Sequence, residues 1–138
     1  IQGPEYKLSD FRGKQPVAIV FYRAYWWMSC KRQLGELQQS KKLLDESGVQ
    51  ILAISTDNLD GPMGMVANDG IEFPILYTSL DDSVPHLFGV FDLFGDGLAA
   101  ASVFLVDIRG DIVWQSIGEN SAHQVSAEKV IEQVELLK

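Results

Sequence analysis

Residues 17–30 constrain the chain more than any other stretch. Val17 to Tyr22 is a continuous apolar run, rich in β-branched and aromatic residues, with no polar alternation. A strand buried on both faces of a sheet reads this way. A short aromatic loop, Tyr25-Trp26-Trp27, follows it. Then the pattern changes. Cys30, Leu34, Leu37 and Leu44 fall at helical spacing, with Lys31, Arg32, Glu36, Gln38 and Lys42 between them. Gly48 is placed to stop that helix near Glu46. The stretch therefore predicts strand, loop, helix, with the single cysteine of the chain at or near the helix start. Free backbone amides and the helix dipole favour an anion there, which stabilises a thiolate.

The rest of the chain supplies the remaining elements of one α/β domain spanning 1–138. Tyr6 to Leu8 reads as a short strand, and Ser9 to Pro16 as a turn-rich lead into the central strand. Val49 to Thr56 is a second buried strand, joined to the first through the helix as a parallel pair. A weak helix carrying Gly64 is expected over about 61–68. Phe73 to Tyr77 is a short strand, and Pro85 to Phe88 a short helix, before a Gly-rich loop over 91–99. Ala100 to Asp107 and Asp111 to Gln115 form a tight hairpin around Ile108-Arg109-Gly110. Ser126 caps a last helix with Val130, Ile131, Val134 and Leu137 on its apolar face. This order predicts a mixed central sheet with helices on both faces.

Five segments in order resemble the alkyl hydroperoxide reductase / thiol-specific antioxidant family, the peroxiredoxin-like branch of the thioredoxin-like superfamily. Tyr6 to Lys14 is similar to the family's opening L-x-D-x-x-G-K. Phe21-Tyr22-Arg23, Trp26, Cys30 and Gln33-Leu34 look like its F-Y-R-G-x-W-C-P-Y-C-x-x-Q-L segment. Ile71 to Leu76 is similar to its F-P-x-L segment, Phe88-Gly89-Val90 to its Y-G-V, and Phe104 to Val113 to its F-x-I-D-x-x-G-x-I-V. The resemblance implies a thioredoxin-like fold. It also implies a peroxidase in which Cys30 is the nucleophile, peroxide or a disulfide is the substrate, and no cofactor is bound. Arg23, Trp26, Trp27 and Ser29 would line the site.

The departures from that pattern bear on function. Aligned on Cys30, the family's peroxidase proline falls on Arg23. Its threonine, and the first cysteine of the thioredoxin C-x-x-C motif, both fall on Trp27. The Arg or cis-Pro that precedes the late strand falls near Ala101. With one cysteine there is no internal resolving thiol. An external reductant, a thioredoxin-type protein or a low-molecular-weight thiol, must restore a sulfenic acid.

Each of these residues also has a plain structural reading. Cys30 heads an apolar stripe and could be a buried, inert thiol. Trp26 and Trp27 could be a hydrophobic lid, and shielding by Trp27 would raise the thiol pKa and blunt it. Arg23 could hold a thiolate and a peroxide oxygen, or cap a strand end facing water. Ser29 could offer a hydroxyl near the sulfur, or simply be the helix N-cap. His86 and His123 default to solvated positions, and Asp81-Asp82 to a cap. Phe88, Phe91, Leu93 and Phe94 form an apolar stretch; the resemblance implies a homodimer face there, whereas composition alone implies core.

A net charge of −8, with acidic residues scattered along the chain, argues against nucleic-acid binding, which needs a basic face. No apolar run approaches the length of a membrane span, and no residues have metal-ligand spacing. A cytoplasmic setting is expected. Export stays open, because the chain begins at Ile1 rather than Met. Two functions stand against each other: a single-cysteine thiol peroxidase, and a redox-inert thioredoxin-like module that binds a partner through its aromatic loop.

Overall fold

The computed structural model describes residues 11–22, 28–55, 75–77, 88–90, 101–118 and 127–136. Five strands form one mixed sheet: β1 (Val17–Phe21), β2 (Gln50–Ser55), β3 (Ile75–Tyr77), β4 (Ser102–Val106) and β5 (Ile112–Ile117). Their spatial order is β3-β2-β1-β4-β5. β1 runs parallel to β2, and β2 to β3, whereas β4 is antiparallel to both β1 and β5. This is the thioredoxin-like architecture that the segment order predicts.

The position of β1 explains its sequence. It lies between β2 and β4, and every one of its residues is buried. Val17, Ile19 and Phe21 face one core layer, and Ala18 and Val20, with Tyr22 beyond the strand end, face the other. β4 divides in the same way, with Val103 and Leu105 on one side and Phe104 and Val106 on the other. A strand with no solvent face cannot alternate, so its apolar run is continuous. β5 lies outermost among the described strands and is mostly exposed or half-buried.

Among the described residues, three helices cover one face: α1 (Met28–Gln39), α2 (Lys41–Glu46) and α3 (Ala127–Glu135). Leu34, Leu37, Leu44, Val130 and Val134 enter the layer formed with Ala18, Val20 and Ile51, and half-buried Ile131 packs against it. On the other face, Phe21, Phe88 and Phe104 form a ring cluster with centroids 5.0–5.8 Å apart. Tilted pairs at such distances add about 0.5–1.5 kcal/mol each beyond their burial. The helix expected over 61–68, the start of the one expected at Pro85, the strand at Tyr6 to Leu8, and the residues Ser126 and Leu137 lie outside the described residues. Phe88 itself stands in a turn with Gly89.

The expected single helix from Cys30 to Glu46 is two helices. At Ser40 the backbone turns to φ −97° and ψ 8°. Its N–H is shared between the carbonyls of Glu36 (3.2 Å) and Leu37 (3.1 Å). Serine is a weak helix former whose hydroxyl competes for the backbone, which suits a break. The stop at Gly48 is as expected. Gly48 takes φ +74°. Its N–H reaches Asp45 O at 3.0 Å, and the Val49 N–H reaches Leu44 O at 3.3 Å. These are the two bonds of a Schellman ending, and Leu44 and Val49 share one core cluster as that ending favours.

The hairpin is a three-residue loop closed by Gly110 N–H to Asp107 O at 3.0 Å and Asp107 N–H to Asp111 O at 2.8 Å. Gly110 has φ +94°, the left-handed position that such loops place last. β5 continues to Ile117, beyond the expected end at Gln115. Leu105 pairs with Trp114 and Val106 with Ile112, so Val113 is the extra residue of a β-bulge.

Candidate functional site

The candidate site lies where β1 gives way to α1. β1, β2 and β3 are parallel and end together at Phe21, Ser55 and Tyr77. In open α/β sheets, ligands bind beyond the carboxyl ends of such strands. The chain leaves β1 at Tyr22, whose N–H is held by Ile54 O at 3.0 Å, and enters α1 at Met28. Ala101 stands at the same end, one residue before Ser102, which pairs with Phe21. Its carbonyl accepts the Gly118 N–H at 2.8 Å.

Cys30 is the third residue of α1. The first four N–H groups of a helix have no partner within it, so Cys30 belongs to the turn that carries the free amides. No acidic residue stands in that turn, so the helix itself sets no carboxylate at its positive end. Such an end stabilises an anion by roughly 0.3–1 kcal/mol when exposed and up to about 2 when partly buried. Arg32 is exposed to solvent, where water screens its charge.

Ser29 does not occupy the place that sequence reasoning gives a cap. The helix already includes Met28, so Ser29 is its second residue rather than the one before it. An N-cap lies outside the helical backbone. Arg23, Trp26, Trp27, His86 and His123 lie outside the described residues.

Two features at this end of the sheet escape a hydropathy reading. Gln33 is only 2% exposed, the one buried polar residue on a helix among the described residues. It stands one turn after Cys30, on the stripe of Leu34 and Leu37. The spacing of three from the cysteine was the available signal, but a polar side chain is assigned to the wet face by default. Ala101 is also buried, in the cluster that holds Tyr22, Leu34 and Val103. The Tyr22 hydroxyl and the Gln33 amide oxygen are both shut off from solvent. Among the described residues, no group of three His, Cys, Asp or Glu could hold a metal ion, and no helix is long and apolar enough to cross a membrane.

The AhpC/TSA family profile matches residues 1–115. The thiol-disulfide oxidoreductase ResA of Bacillus anthracis is 28% identical over 126 residues, covering 91% of this chain and 67% of ResA. The chloroplastic 2-Cys peroxiredoxin BAS1 of Spinacia oleracea is 23% identical over 118 residues, covering 80% of this chain and 44% of that protein. Among solved structures, AhpC of Enterococcus faecalis matches with a TM-score of 0.83 at 23% identity, over 93% of this chain and 77% of that one. Peroxiredoxin Q of Xanthomonas campestris matches with a TM-score of 0.83 at 20% identity, over 97% and 85%. The two structural matches establish the fold.

Proposed function

The chain belongs to the AhpC/TSA family, and from that premise we propose that it is a single-cysteine thiol peroxidase with Cys30 as nucleophile. The observation that supports this most is the placement of Cys30 in the first turn of α1, beyond the carboxyl end of the central strand, with no carboxylate in that turn. The Cys30 thiolate attacks one peroxide oxygen. The O–O bond breaks, the other oxygen leaves as alkoxide or hydroxide and takes a proton, and the sulfur becomes a sulfenic acid. One external thiol then displaces water to give a mixed disulfide. A second thiol displaces Cys30 as thiolate and carries the disulfide away. The reductant is a thioredoxin-type protein or a small thiol in a reducing, cytoplasmic setting. Arg23, Trp26, Trp27 and Ser29 stand around Cys30 in sequence and line the site in this reading.

The experiment is a peroxide titration of the native protein with dimedone trapping, using Cys30→Ser as the blank. Modest peroxide is expected to yield a trapped sulfenic acid on Cys30, together with at most a reducible dimer on non-reducing gels. A native Cys30 that resists both thiol reagent and excess peroxide, while Trp27→Ala becomes reactive, overturns the reading. One observation favours a second reading, a redox-inert binding module. Ala101, near which the family's Arg or cis-Pro falls, is buried among apolar side chains and offers no polar group to a reacting oxygen.

A further inference from the structure

We draw no further inference here: the strongest candidate, the outer edge of β5 with the exposed side chains of Ile112 and Val113 beside Ile108 of the hairpin, is an unpartnered apolar surface, and nothing in the structure shows what covers it.

Discussion

At the hairpin end of the sheet, polar groups meet partners at short range. Gly13 N–H reaches Ile108 O at 2.6 Å, the Asp107 carboxylate accepts two amides, and Gly110 lies against the Arg12 side chain. At the other end, where β1 meets α1, Tyr22 and Ala101 lie in a core cluster with Leu34 and Val103, and Gln33 is buried on α1. The residues that resemble the family's motifs divide along the same line. Phe104, Asp107 and Gly110 stand as the family pattern has them; Phe104 packs in the core, and Asp107 and Gly110 close a turn. Aligned on Cys30, Arg23 and Trp27 stand where the peroxidase pattern has proline and threonine, and its Arg or cis-Pro falls near Ala101; in the family pattern those groups belong to the site. Turn geometry tolerates few residue types, whereas a site can change chemistry without disturbing the sheet beneath it.

The largest expected effect comes from returning the family's arginine to the site end. Ala101 is 2% exposed and packs in the cluster of Tyr22, Leu34 and Val103. Ala101→Arg forces a guanidinium into that layer. A buried charge left without a partner costs about 3–5 kcal/mol, so a large fall in the denaturation midpoint is expected, with no gain in Cys30 reactivity. If the variant keeps its stability and reacts faster with peroxide, the site end is an open pocket awaiting a cation rather than a repacked apolar layer.

A smaller loss is expected from the hairpin end. Gly110 adopts φ +94°, and an added Cβ would lie 2.8 Å from Arg12 Nε. A left-handed conformation costs an L-residue roughly 1–2 kcal/mol. Gly110→Ala is therefore expected to lower stability by about that amount while leaving the rate of Cys30 alkylation unchanged. Combining it with Arg12→Ala sharpens the reading. The Arg12 side chain is flexible and can move aside, so the double variant is expected to recover little. Full recovery would place the cost in the contact instead of the backbone. A changed alkylation rate would show that the two ends are coupled.

Much of this architecture is legible in the sequence, for reasons that can be named residue by residue. The continuous runs in β1 and β4 reveal strands buried on both faces. Gly48 and Gly110 mark places where the backbone must turn left-handed. Cys30 at a strand-to-helix junction gives the address of the candidate site. What stayed hidden depends on partners distant in the chain. The bulge at Val113 exists because β5 must register against β4. The break at Ser40 lies inside a pattern that reads as one amphipathic helix. Gln33 reads as a surface residue on hydropathy, and only the fold shows that its amide is inside. A carboxamide contributes nothing to a periodic apolar count, so the residue closest in register to Cys30 is the easiest to overlook.

The smallest expected effect is the pH response of Asp107, and it asks how the hairpin end is held. Asp107 Oδ1 accepts the Asp111 N–H at 2.9 Å and the Arg109 N–H at 3.0 Å. The Asp111 amide is the main cause that holds the carboxyl below its ordinary value. Partial burial works against it, and the Arg109 amide and charge assist. The Arg109 side chain is 80% exposed and 3.7 Å from Oδ2, so its ion pair is weak in water. Because the folded value lies below the unfolded one, the carboxylate's contribution is fully present above about pH 4 and is lost as pH falls through the folded value. Asp107→Asn keeps an oxygen for both amides but removes the charge. Its melting temperature is expected to match the parent closely at neutral pH and to fall less steeply below about pH 4. Asp107→Ala removes the acceptor as well, and is expected to lose stability at every pH. Parallel curves for Asp107→Asn and the parent through the acid range would show that the turn is held by the two amide bonds and the Gly110 conformation, with no help from charge.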